Sequence, residues 1–171
     1  VHYVEEKFLY YVQKEMKRLY FRKSTPAKKI QKYYRALSME QDRRSPHHYF
    51  NSVKEVTGKV FVDGGCAEGY SSLEIIEEAK HVYLFEQDEQ WLEAIRATFE
   101  PWQDKVTIVE NYVSEHNSSR EQTLDDFFNN QTNEHLFLKM DIEGAERHAL
   151  AGCNNLFQNC QKLDFAICTY H

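Results

Sequence analysis

Lys59-Val-Phe-Val-Asp-Gly-Gly-Cys-Ala-Glu-Gly69 reads as an apolar strand that runs straight into a glycine-rich turn, with a helical pattern starting at Tyr70. Strand, turn and helix in that order open an α/β sheet. There the first strand's carboxyl end faces a ligand crevice, and turn glycines let backbone approach the bound molecule. Downstream, short apolar runs alternate with amphipathic helices, the pattern of a parallel sheet with helical crossovers. The strands are expected at 59–63, 81–86, 105–109, 136–141 and 163–170. Tyr70, Leu73, Ile76 and Ala79 share one helical face. Leu92, Ile95 and Phe99 share another, behind a cap at Asp88 and a stop near Pro101. Thr123-Leu-Asp-Asp126 is a second capping signature, and 143–157 reads as the last helix.

The first 50 residues differ, being rich in Lys, Arg and Tyr and free of glycine, so they read as an extension to a domain covering 51–171. Phe8 to Val12 and Arg18 to Arg22 are β-branched and aromatic runs around a polar stretch, which favours a hairpin over a helix built on Val4, Phe8, Tyr11 and Leu19. Ser24-Thr25-Pro26 then starts a helix that ends near Gln41, with Ile30, Tyr33, Tyr34 and Leu37 on its apolar face. Lys23, Lys28, Lys29, Lys32 and Arg35 could attract an anionic acceptor, but the plainer reading is a solvated face. His47 and His48 stand side by side, where side chains diverge. A capped turn with a packed Tyr49 therefore suits them better than a metal, and no metal is expected in this chain.

A chain of 171 residues fits one domain with a real core. Its formal charge of -6 and pI near 5.8 argue against a general phosphate-backbone binder, so no nucleic-acid partner is expected. No apolar run approaches the ~20 residues that span a bilayer. Cys66, Cys153, Cys160 and Cys168 lack C-x-x-C spacing and disulfide-rich surroundings, which points to a reducing cytoplasmic setting. The chain opens on Val1 and stops at His171 directly after a strand pattern, as a fragment would.

The turn discriminates between cofactors. A dinucleotide site wants G-x-G-x-x-G, whose middle glycine admits the pyrophosphate, and here Cys66 stands there while Asp63 would repel phosphate. S-adenosylmethionine, with an ammonium, a sulfonium and no phosphate, suits the acidic turn better. Glu86 ends the second strand roughly 20 residues on, where an acid can accept the ribose hydroxyls, a feature that NAD would use equally. Asn111 and Tyr112, after the third strand, are placed to meet an adenine, though Tyr112 could simply pack. Cys66 reads as a small space-filler, since no His or Lys beside it would lower its pKa.

Four segments give the chain a family resemblance. Val62 to Gly69 resembles the Asp-x-Gly-x-x-x-Gly turn of the FkbM-type S-adenosylmethionine-dependent methyltransferases, and Leu84-Phe85-Glu86-Gln87-Asp88 resembles their Phe-Glu-Pro segment, with Gln87 in place of proline. Thr123 to Phe127 is similar to their Leu-Asp-Asp signature. Leu138 to Glu146 is similar to Lys-x-Asp-x-Glu-Gly-Ala-Glu, the most specific of the matches. The resemblance covers about residues 45–171. It implies a Rossmann-like class I methyltransferase sheet, of which five parallel strands are visible and the C-terminal ones are missing. It further implies cofactor contacts from Asp63, Gly65, Glu68, Gly69, Glu86 and Gln87, and a hydroxyl of a sugar, glycan or other small molecule as acceptor. The segment between Val109 and Thr123 is short for the family.

Where sheet order reverses beside the first strand, the fourth becomes its neighbour, so Asp63 and Asp141 should flank one crevice. Methyl transfer to a hydroxyl needs a base, and Asp141, Glu143 and His171 are the candidates. The carboxylates could instead orient the acceptor, hold Mg²⁺ or cap the helix after Gly144. Lys139 and Glu146 read as structural, with an ion pair between them as one arrangement open to them. Two other functions stay open: an NAD-dependent oxidoreductase, and a non-catalytic adapter of the same fold.

Overall fold

The computed structural model describes residues 1–129 and 132–169. It opens with an antiparallel meander of β1 (His2–Val4), β2 (Leu9–Lys14) and β3 (Lys17–Tyr20). The expected hairpin is β2 and β3, turning at Glu15 in the left-handed region (φ 55°), and β1 adds a strand the sequence did not announce. Helix α1 (Ala27–Glu40) follows directly after Pro26. Then come β4 (Val60–Gly64), α2 (Tyr70–Ile75), β5 (His81–Phe85), α3 (Glu89–Phe99) and β6 (Val106–Val109). The last part of the chain forms β7 (Tyr112–Val113), β8 (Glu121–Gln122), α4 (Leu124–Phe127), β9 (His135–Met140), α5 (Glu146–Ala151), α6 (Asn154–Asn159) and β10 (Lys162–Ile167).

The main sheet is parallel throughout, in the order β10-β9-β4-β5-β6, so the order reverses beside β4 as expected. Every residue of β4 is buried, because helices cover both faces of the sheet. Its side chains alternate between two cores. Phe61 joins Val82, Leu84 and Phe137 under Leu73 and Ile95, whereas Val60 and Val62 join Leu136, Leu138 and Met140 under Leu124, Ala149 and Leu156. Each such side chain contributes about 1.5–3 kcal/mol by leaving water.

The N-terminal meander is part of the first core, since Leu19, Phe21 and Ile30 are fully buried in it. Its turn lysines dock on α2: Lys14 Nζ donates to Glu74 Oε1 at 2.8 Å and to Tyr70 Oη at 2.9 Å, and Lys17 Nζ to the Leu73 carbonyl at 2.8 Å. Tyr20 N donates to Thr98 Oγ1 on α3 at 3.0 Å. These ties hold the meander on α2 and α3.

Both expected caps form, with Asp88 accepting from Gln90 N and Thr123 from Asp126 N. The expected helix over 143–157 does not form as one piece. Glu143 (φ 56°) and Gly144 (φ 96°) are left-handed, so α5 starts only at Glu146, and a turn at Gly152 separates it from α6. Asp125 explains the second piece, because its two carboxylate oxygens accept from Asn155 N at 3.0 Å and Leu156 N at 2.7 Å and so cap α6. The loop after β6 holds a short parallel pair, β7 and β8, that the sequence did not suggest.

Candidate active site

A cleft of about 1000 Å³ lies across the carboxyl ends of β4, β5 and β9, the edge where open α/β sheets bind ligands. Such a volume suits a drug-sized molecule and part of a second one. Gly65, Glu68, Glu86, Tyr112, Asp141 and Glu143 line it, so six of the residues expected from sequence converge there. Asp63, Gly69, Gln87 and Asn111 are not among its walls. His171 lies outside the described residues.

Asp63 is turned inward, 1 % exposed, with Lys139 Nζ 2.8 Å from Oδ1 and Ser72 Oγ donating to Oδ2 at 2.6 Å. The reason is register. Asp63 and Lys139 are directly paired across β4 and β9, so their side chains leave the sheet on the same face and meet under α2. Lys139 is therefore Asp63's partner, not Glu146's. Burial alone would depress the lysine, but the Asp63 charge and hydrogen bond outweigh it and its pKa is raised. Lys139 Nζ also donates to the Gly65 carbonyl at 3.1 Å, which ties the glycine turn to β9.

The turn's glycines serve packing more than ligand approach. A Cβ on Gly65 (φ 73°) would stand 2.3 Å from the Asp141 carbonyl oxygen, and one on Gly69 (φ 78°) would stand 2.7 Å from the Phe99 ring. The turn thus lies tightly on the tip of β9 and on α3, and this sets the distance between Glu68 and Asp141. Cys66 is buried in it, and burial, reinforced by the Asp63 and Glu86 charges, pushes its thiol well up, as befits a space-filler.

Glu86 is 8 % exposed and holds the same turn from the β5 side. Oε2 accepts from Ala67 N at 3.1 Å, and Oε1 from Gln87 N and Asp88 N at 2.8 Å each. A carboxylate offers about four acceptor positions. Three are taken, so a ribose diol finds one open position on Oε2 and not the two-handed acceptance expected from the sequence.

Asp141 faces the cleft, and Tyr49 Oη donates to its Oδ2 at 2.5 Å across 92 residues of sequence. No side chain caps α5, and Glu146 instead braces the loop before it, its Oε1 accepting from Ile142 N at 2.8 Å and Gly144 N at 3.4 Å. Asp141, Glu146 and Cys168 each bring a ligand-type atom within 4.8 Å of the others, too mixed a set of carboxylates and buried thiol to define a cation site. His48 spends its ring on the Ser45 carbonyl and Asn51, in a local turn.

The N-terminal residues supply a wall of the cleft that sequence reading missed. Tyr33 and Leu37 on α1, with Arg22 just after β3, face the turn across the opening, and Tyr49 sits beside them. The Arg22 guanidinium lies 4.1 Å over the Trp91 ring and 3.2 Å from Asp88, and Tyr33 stacks near Trp91 at 6.4 Å. The available signal was an α1 apolar face built from tyrosines, whose hydroxyls seek partners. Lys28, Lys29, Lys32 and Arg35 of the same helix are exposed and form its solvated side.

A parallel, doubly covered sheet reversing beside β4, with a ligand cleft at its carboxyl edge, defines the class as Rossmann-like α/β, the fold of the methyltransferases. Residues 113–162 match the sequence model described as "Methyltransferase FkbM domain". That stretch is thus similar to the FkbM methyltransferases, the family that the motifs there resemble. The match takes in the Leu-Asp-Asp and Lys-x-Asp-x-Glu segments, not the turn at 63–69. Among solved structures, the methyltransferase FkbM of Methylobacillus flagellatus KT aligns with 23 % identity and a TM-score of 0.53, over 67 % of this chain and 33 % of that one. The present chain thus spans about a third of that protein's length. A putative RNA methyltransferase of Pyrococcus horikoshii aligns at 18 % identity and TM-score 0.43, over 66 % of this chain and 52 % of that one. An rRNA methylase of Streptococcus thermophilus aligns at 16 % identity and 0.48, over 67 % and 66 %. No curated protein matches the chain. Among the described residues, no helix is long and apolar enough to cross a membrane.

Proposed function

We propose that the cleft binds S-adenosylmethionine and that the protein transfers its methyl group to a hydroxyl of a small-molecule or glycan acceptor. The observation that carries this reading is the charge of the walls. Glu40, Glu68, Glu86, Asp88, Glu115, Glu121, Asp141 and Glu143 line the cleft, against Arg22 and Lys139 as its only lysine or arginine among the described residues. Both cations are already committed, Arg22 beside Asp88 and Lys139 beside Asp63. Such a site favours a cation and opposes a pyrophosphate or a nucleic-acid backbone. The FkbM match supports methyl transfer, and the same charge speaks against NAD.

The residues present fit this cofactor. Glu86 offers a remaining acceptor position to the ribose, Tyr112 and Val113 lie past the tip of β6 where an adenine would rest, and Gly65 and Glu68 follow towards Asp141. Bound there, the cofactor supplies an electrophilic methyl on a sulfonium. Asp141 serves as the base that takes the acceptor's proton, with Tyr49 fixing the carboxylate by its hydrogen bond, and Glu143 lies close enough on the same wall to orient the acceptor. The test is transfer of labelled methyl to sugars and other polyhydroxyl acceptors by the full-length protein and by Asp141→Asn. The variant should lose about 10²–10⁴-fold in turnover while cofactor affinity stays within a few-fold. Near-normal turnover in Asp141→Asn removes the base from this position.

A further inference from the structure

We propose that Glu68 and Tyr33 together form the subsite for the ammonium of the cofactor's amino-acid end, so that helix α1, outside the resemblance to known methyltransferases, contributes directly to cofactor recognition. The inference rests on the cofactor reading given above.

Glu68 stands in the glycine turn, is only 4 % exposed, and yet lines the cleft. Tyr33 Oη donates to its Oε2 at 3.0 Å from across the opening. Among the described residues no lysine, arginine or histidine pairs with it, because the nearest buried cation, Lys139, is held by Asp63. A carboxylate withdrawn from water and left without a cation is costly, and a site that tolerates one is prepared for a positive ligand group. Burial raises the Glu68 carboxyl from its ordinary 4.5 to about 7, while its own backbone amide, the Tyr33 hydrogen bond and the Lys139 charge pull it down and the Asp63 charge pushes it up. An ammonium arriving there would hold it ionised.

Position along the turn selects which part of the ligand arrives. Glu86 clamps Ala67 N from the β5 side, so the ribose end lies there, and Gly65 rests on the Asp141 backbone on the β9 side. Glu68 follows both anchored residues in the turn and meets α1 through Tyr33. The amino-acid chain of the cofactor extends from the ribose past the sulfur, hence away from Glu86 and towards Glu68, Tyr33 and Asp141. Tyr33 acts as a positioning residue, fixing the carboxylate from the α1 side while Glu68's own backbone amide holds it from the turn.

Titration calorimetry with two ligands tests this. S-adenosylhomocysteine carries the amino-acid end, and 5′-methylthioadenosine keeps the nucleoside and thioether but lacks it. Glu68→Gln, which keeps shape and hydrogen bonding, should weaken S-adenosylhomocysteine by roughly 10- to 100-fold and leave 5′-methylthioadenosine unchanged. Tyr33→Phe should weaken the first ligand about 3- to 10-fold, again sparing the second. If Glu68→Gln weakens both ligands alike, or neither, the assignment is wrong although the cofactor reading stands. If the wild-type protein binds neither ligand, the cofactor reading itself falls and the assignment with it. A melting curve for each variant separates lost binding from lost fold.

Discussion

Lys139→Met should cost this protein a large part of its stability, and the amount can be worked from the geometry. The Lys139 and Asp63 side chains are 6 % and 1 % exposed and stand 2.8 Å apart. Removing the ammonium leaves the Asp63 carboxylate buried with only the Ser72 hydroxyl at 2.6 Å to stabilise it, and it also deletes the bond to the Gly65 carbonyl. Breaking one side of such a buried pair costs about 3–5 kcal/mol. For a chain of this size each kcal/mol lowers the melting temperature by about 2–4 °C, so the drop should be roughly 6–20 °C. The double variant Asp63→Asn with Lys139→Met removes both charges and should recover most of that loss. Calorimetric melting at pH 7 and urea denaturation read both quantities. A Lys139→Met protein that melts within about 2 °C of wild type, or a double variant no better than the single one, would refute the view of this motif pair as a desolvated structural tie.

Three other expectations follow from the same contacts. Glu68 has a folded pKa of about 7 against an ordinary 4.5, so the folded state binds more protons across that window and stability must fall as pH rises through it. Glu68→Gln should therefore melt like wild type near pH 4.5 and be more stable by up to about 3 kcal/mol above pH 8, and a pH-independent difference would contradict this. Glu86→Ala removes an acceptor from three backbone amides and, on the proposed reading, from the ribose, so it should lose about 1.5–3 kcal/mol of stability along with roughly 10- to 100-fold in S-adenosylhomocysteine affinity. Affinity lost with no change in denaturation would mean the carboxylate does not hold the turn. Tyr49→Phe deletes the donor that fixes the Asp141 carboxylate, so turnover should fall about 3- to 10-fold with S-adenosylhomocysteine affinity unchanged. Unchanged turnover would place the base elsewhere.

The strand order and most elements were readable because each apolar run is short, bounded and followed by a helical face, a pattern that survives any detail of packing. Asp88 and Thr123 could be recognised as caps since the bond they make is local. What stayed hidden depends on pairing at a distance. Nothing near Asp63 in sequence says that it meets Lys139, since only the β4 to β9 register puts the two side by side. The Tyr49 to Asp141 bond and the Tyr33 to Glu68 bond join the first 50 residues to the sheet edge and leave no trace in either local pattern. At Gly65 and Gly69 the sequence shows a need for glycine but not its source here, the close approach of the Asp141 backbone and the Phe99 ring. The break in the helix over 143–157 escaped notice because Asp125, 30 residues upstream, caps its second half.

The most direct test of the central claim is a pair of calorimetric titrations of the full-length protein, one with S-adenosylhomocysteine and one with NAD. An acid-walled cleft at the carboxyl edge of β4, β5 and β9 predicts saturable binding of S-adenosylhomocysteine at one site, with a matching rise in melting temperature, and no heat with NAD. Saturable binding of NAD with a flat trace for S-adenosylhomocysteine would contradict it.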